Sequence, residues 1–136
     1  MATFNRVYSL VLALGKGVHD FSTHTLKVAL TNTAPSQSNT QLSDITQISY
    51  TNLSSRTLTT TSWSQTSGVA KLVLADLALT ASGGSVAAFR YIVIYNDTAT
   101  NDELIGWYDK GSSITLADGD QLNIDFDGTN GVLQIS

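Results

Sequence analysis

Residues 86–95 are apolar on both faces, and this run constrains the fold more than any other part of the chain. Alternate side chains of an extended strand point to opposite sides. One side would carry Phe89, Tyr91, Val93 and Tyr95, and the other would carry Arg90, Ile92 and Ile94. Both faces of such a strand have to be covered, by a second layer of the fold or by a neighbouring subunit. We therefore predict that it lies in the centre of a sheet.

Further stretches have the alternation or the β-branched content of strands. They span residues 26–31, 56–63, 70–79, 103–108, 113–116, 121–126 and 132–135, and the turn at 117–120 predicts that 113–116 and 121–126 form a hairpin. Short strands at intervals of about 8–12 residues are typical of antiparallel sandwiches and jelly rolls. We predict a mainly β fold, an antiparallel β-sandwich or jelly-roll-like domain with a short N-terminal α-helix. With 136 residues, the chain suits a single domain, 1–136.

The N-terminal segment, residues 1–20, has helical periodicity. Apolar side chains recur at i, i+3, i+4 and i+7, namely Phe4, Val7, Tyr8, Val11, Leu14 and Val18. Thr3 could cap the start, and Gly15 and Gly17 could end the helix. The alternative is a short signal peptide with a small-x-small site at residues 13–15. The apolar run is too short to span a bilayer, which takes about 20 residues.

Residues 31–68 form a polar stretch rich in Ser, Thr, Asn and Gln. A structureless loop of that length is uncommon inside a compact domain. We predict a long loop or arm that contains one or two short strands. Part of it, residues 35–62, could instead be an extended arm that becomes ordered by lying on a partner.

Charged residues make up 13% of the chain, whereas about 25% is usual, and 18 Thr and 16 Ser take their place. The seven basic residues are scattered singly. Nucleic-acid and membrane-surface binding both need clustered cations, so we expect neither partner. Because few charges protect against self-association, the composition favours a surface partly covered by neighbouring molecules.

No catalytic motif stands out. His19 and His24 lack further metal-ligand spacing, no GxSxG elbow exists, and without Cys there is no thiol nucleophile. The acidic region from Asp118 to Asp127 offers oxygen ligands for Ca²⁺, but apolar residues separate its acids, so hairpin turns explain it better. We expect no enzymatic activity, no cofactor and no metal.

Aromatic residues could form a sugar-binding platform, although on alternating strands they more often lie in a core or a subunit interface. The candidates are Trp63, Tyr91, Tyr95, Trp107 and Tyr108. We predict interface positions at Trp63 and on the helix face, at Phe4, Val7, Tyr8 and Val11.

Several segments resemble a family of small virion proteins of tailed bacteriophages. They are residues 1–7 (MATFNRV), 26–35 (LKVALTNTAP), 89–108, which include the run YNDTATN, and 111–120 (GSSITLADGD). The polar middle of the chain matches least. In size and strand content the chain is also similar to capsid decoration, or cement, proteins.

This resemblance implies a head decoration protein that binds the major capsid protein and stabilises the head. It implies a homotrimer on the surface of the phage head, made in the cytoplasm of the bacterial host. The alternative is a tail or fibre component, for instance one that binds carbohydrate or a host receptor. The family supplies no motif from which binding residues could be assigned.

Overall fold

The computed structural model describes residues 2–136, which form nine strands, one α-helix and one 3-10 turn. The helix α1 is Leu10–Gly15, and the 3-10 turn is Leu42–Asp44. The strands are β1 Phe4–Arg6, β2 Leu26–Thr31, β3 Thr60–Thr66, β4 Val69–Leu74, β5 Leu77–Thr80, β6 Phe89–Asn96, β7 Leu104–Ile114, β8 Gln121–Ile124 and β9 Leu133–Ile135. No helix in this part of the chain has the length and apolar character needed to cross a membrane.

The strands form three antiparallel sheets, which confirms the mainly β, sandwich-like fold. Their strand orders are β1-β7-β6-β2, β3-β4-β9 and β5-β8. Strand β6 pairs with β2 on one side and β7 on the other. The prediction of a central strand at residues 86–95 is therefore confirmed, with the strand beginning at Phe89.

The core is one continuous cluster to which all three sheets contribute. Phe21, Phe89 and Phe126 are its largest fully buried side chains. The ring of Phe126 lies 6.1 Å from the ring of Tyr108 on β7, so the chain after β8 packs against the four-stranded sheet. Apolar area removed from water stabilises such a cluster by about 25 cal/mol per Å².

Two strand predictions in the second half were wrong in detail. The stretch at 70–79 is interrupted, because Asp76 leaves the ladder and its Oδ1 accepts a hydrogen bond of 3.0 Å from the backbone of Phe126. The chain thereby passes from the sheet of β4 to the sheet of β5. The segments 103–108 and 113–116 are parts of the single strand β7.

The predicted hairpin between 113–116 and 121–126 does not form, since β8 pairs with β5. This pairing sets Leu79 opposite Leu122 and Leu77 opposite Ile124. Cross-strand apolar pairs of this kind stabilise a sheet, whereas in 113–116 two of the four residues bear hydroxyls and Ile114 pairs with Phe89 of β6. The choice of partner thus follows from a non-local match of apolar residues.

The N-terminal helix is shorter than the predicted span of 1–20. Residues Phe4–Arg6 form an edge strand against β7, and the helix begins only after Ser9. Its end was predicted correctly: Gly17 has φ of 77° and its N–H bonds to the carbonyl of Leu14, while the N–H of Val18 bonds to the carbonyl of Ala13. This pair of bonds is a Schellman motif.

The polar middle of the chain lies along the outer edge of β2. The N–H of Ile48 bonds to the carbonyl of Leu30, and the N–H of Leu58 bonds to the carbonyl of Leu26. Ile45 and Leu58 are buried. The segment is therefore a long loop held on its own domain, and the alternative of an extended arm on a partner does not describe it.

Candidate functional site

The most prominent surface feature is an apolar patch made of Tyr8, in the turn before α1, and of Val11 and Leu12 on α1. Their side chains are 73%, 47% and 61% exposed, and they are the exposed large hydrophobic residues found among residues 2–136. Leu10 on the opposite side of the helix is fully buried. The patch is therefore the outer face of an anchored helix. Contiguous exposed apolar patches of this kind commonly mark sites of protein interaction.

The predicted interface residues of the N-terminal segment separate into two groups. Tyr8 and Val11 belong to the patch, but Val7 is 0% exposed and Phe4 packs on Tyr108 with ring centroids 5.2 Å apart. Val7 therefore lies in the core and cannot touch a partner. The helical periodicity misassigned Val7, which follows the strand Phe4–Arg6 into the core, whereas Phe4 is half-buried and its interface role stays a prediction. Leu12 was missed, although it lies four residues after Tyr8 on α1.

Trp63 lies apart from the patch of Tyr8, Val11 and Leu12. It lies on β3, half-buried, with its ring edge-on to Phe21 at 5.0 Å between centroids. Of the other candidate platform aromatics, Tyr95, Trp107 and Tyr108 are buried. Those three residues thus serve the core, while Trp63 and Tyr91 are half-buried.

A buried polar cluster joins the two histidines to the end of β6. The Nδ2 group of Asn96 lies 3.0 Å from Nδ1 of His19 and 2.9 Å from Nδ1 of His24. The Oδ1 atom of Asn96 accepts hydrogen bonds from the backbone N–H groups of Thr98 and Ala99. These two N–H donors orient the amide, so that Nδ2 must donate to the histidines. Both Nδ1 atoms are therefore acceptors, and both rings carry their proton on Nε2.

Two polar atoms next to this cluster have no partner within residues 2–136. They are Nε2 of His19 and Oε2 of Glu103, both shielded from solvent. Burial lowers the pKa of His19; the charge of Glu103 opposes this effect and His24 adds to it. The cluster thus favours neutral imidazole. Sequence analysis noted both histidines but missed Asn96, whose only signal was a polar residue at the end of an apolar strand.

The acidic residues between Asp118 and Asp127 are engaged with backbone N–H groups. Oδ1 of Asp118 accepts from Gly83, and Oδ2 of Asp120 accepts from Ala117. Hydrogen bonds from Asn130 hold the pKa of Asp127 below its usual range. Within the described part of the chain, His, Asp and Glu side chains form no group of three or more that could hold a metal ion.

A cleft of about 300 Å³ lies between the four-stranded sheet and β8. Ile92, Tyr108, Leu122 and Ile124 supply most of its apolar lining, and Asp125 is among its polar residues. Burial, with smaller contributions from Asp125 and Asp127, raises the pKa of Tyr108 to about 12. The phenol therefore stays neutral at neutral pH, and Lys110 and Asp125 are the charged residues that line the cleft.

Comparison with known proteins supplies no functional assignment, because no family model, curated protein or solved structure matches this chain.

Proposed function

We propose that this protein is a non-enzymatic structural component of a phage virion, a decoration protein that binds the major capsid protein and stabilises the head. The apolar patch of Tyr8, Val11 and Leu12 is the observation that carries the proposal. It is uncharged and lies at the start of a helix that Leu10 anchors in the core. The resemblance of the segments at 1–7, 26–35, 89–108 and 111–120 to phage virion proteins supports the same role.

The proposed mode of action is multivalent. A homotrimer would present three patches, and each patch would contact one neighbouring capsid subunit. Modest contacts add up when one rigid oligomer occupies several sites, because the second and third contacts become intramolecular. The low content of charged residues fits a surface of which much is covered in an assembly.

The first test concerns location and copy number. Imaging of intact particles should show this protein on heads in hundreds of copies. Copies numbering tens at most and confined to the tail would contradict the proposal and favour the alternative, a tail or fibre component. Binding of the isolated protein to glycans but not to heads would point the same way.

The second test addresses the patch itself. Tyr8→Ser/Leu12→Ser removes most of its apolar area and should weaken binding to undecorated heads about 30-fold, the equivalent of about 2 kcal/mol for one hot-spot contact. The matched control Tyr8→Phe/Leu12→Met keeps the patch apolar and should bind nearly as well as wild type. Equal binding by both variants would exclude the patch as the capsid contact.

A further inference from the structure

Strand β3 is the longest strand edge that the rest of the domain leaves open. Within residues 2–136, no backbone or side-chain group outside β4 bonds to the backbone of Thr60–Thr66. The outer edge of β2 is covered by the polar loop, while β1 and β9 have three residues each. Proteins usually protect an open edge with charge, proline or short length. Strand β3, of sequence TTSWSQT, has seven residues and neither charge nor proline; its one irregularity is a register shift against β4 between Thr60 and Ser62, at the end away from Trp63–Thr66.

The hairpin geometry shows which groups of β3 face outward. Strands β3 and β4 are joined by Ser67 and Gly68, both with positive φ (51° and 84°), as in a type I′ turn. The pair Thr66–Val69 that closes such a turn is hydrogen-bonded, and hydrogen-bonded and non-hydrogen-bonded pairs then alternate. Trp63 and Gln65 therefore occupy non-hydrogen-bonded pairs with β4. Their N–H and C=O groups point away from β4, toward a further strand.

We propose that this edge pairs antiparallel with β3 of a second copy of the chain, about a two-fold axis through Trp63. The sequence TTSWSQT is nearly symmetric about Trp63. Two-fold pairing sets Thr60 opposite Thr66, and Ser62 opposite Ser64. Hydroxyl pairs and aromatic pairs at opposed positions are favourable in sheets. Such a contact is self-complementary, as the isologous contact of a dimer must be.

The pairing also accounts for Trp63. Its outward N–H and C=O would exchange both hydrogen bonds with the same groups of its copy. Its indole, which is half-buried against Phe21 in the single chain, would meet the second indole across the axis. Aromatic pairs at such separations add to the stability gained from area burial.

This contact goes beyond the proposed function and is independent of it. Because it is two-fold, it cannot close a three-fold ring. If the chains also form trimers, it would join trimers in pairs, so that the mass doubles from three chains to six. Two seven-residue strands bury little area, and we expect an association that depends on concentration.

Charge-swap variants test both the contact and its register. Ser62→Glu/Ser64→Glu sets carboxylates opposite each other across the axis, while Lys71, opposite Ser64 on β4, favours the folded chain. Ser62→Lys/Ser64→Lys sets ammonium groups opposite each other across the axis. Each variant alone should associate about tenfold more weakly than wild type, because like charges directly opposite one another repel. An equimolar mixture should regain the doubled mass as a mixed pair.

The matched control is Ser112→Glu/Ser113→Glu, which adds the same charge at exposed positions of β7. It should associate like wild type. Native mass spectrometry and sedimentation over a concentration series measure the masses, and urea midpoints confirm that each variant is folded. The inference is overturned if the mass of wild type does not double with concentration, or if Ser62→Glu/Ser64→Glu associates like the control. It is also overturned if the equimolar mixture of the Glu and Lys variants forms no mixed pairs.

Discussion

Asn96→Ala should be among the most destabilising single substitutions outside the apolar core. Asn96 is 0% exposed, and its amide makes four hydrogen bonds. The substitution leaves Nδ1 of the buried His19 without a donor, at a cost of about 1–3 kcal/mol. The other three groups are near the surface, where water replaces the amide, and each costs about 0.5 kcal/mol. We expect a total loss of about 2.5–4.5 kcal/mol of unfolding free energy.

Urea unfolding at pH 8 measures this loss. With a slope of about 2 kcal/mol per M, the midpoint should fall by about 1.2–2.2 M. Asn101→Ala is the matched control, because Asn101 is exposed and its side chain makes no hydrogen bond within residues 2–136. The urea midpoint of this variant should hardly change. A loss below about 1 kcal/mol for Asn96→Ala would refute the assignment of the amide as the centre of the cluster.

The same cluster predicts opposite pH dependences for wild type and Asn96→Asp. Burial lowers the pKa of His19 below the usual imidazole value of 6.5. The unfolded chain therefore takes up this proton first, so wild-type stability is full above pH 6.5 and falls as the pH drops through that value. In Asn96→Asp a carboxylate faces the two Nδ1 atoms and favours imidazolium. Its deficit relative to wild type should shrink between pH 8 and pH 5.5, and a constant deficit would contradict the proposed hydrogen-bond directions.

Three further outcomes check the packing. Gly106→Ala should detach β1, since the added Cβ would lie 2.5 Å from the ring of Phe4. We expect a loss of about 2–4 kcal/mol in urea unfolding, and unchanged stability would contradict this close approach. Tyr50→Phe removes the hydroxyl that bonds to Gln47 and accepts from the backbone of β2, and should cost about 1–3 kcal/mol by the same assay. In a spectrophotometric titration, the phenol of Tyr108 should ionise with a pKa of about 12. The titration step is assigned to Tyr108 by its disappearance in Tyr108→Phe, and a midpoint near 10 would show a solvated ring.

The sequence alone predicted what depends on local pattern. The run at 86–95 can only be stable with both faces covered, and it is the central strand β6. The Schellman end of α1 follows from Gly17, because the helix stops where the backbone can adopt positive φ. The apolar pattern also selects Tyr8 and Val11, which the structure leaves exposed; their role as interface positions stays a prediction.

Tertiary structure decided what depends on distant partners. Residues 4–6 have helical periodicity but form a strand, because β7 offers an open edge at Gly106 where no Cβ blocks the backbone of Asn5. The same pairing buries Val7, so the exposed patch is smaller than the predicted helix face and includes Leu12. Asn96 acquired its role only when the fold brought His19 and His24, more than 70 residues away in the chain, to the end of β6. Local periodicity does not predict such contacts, because they form only when elements distant in the chain pack together and exclude water.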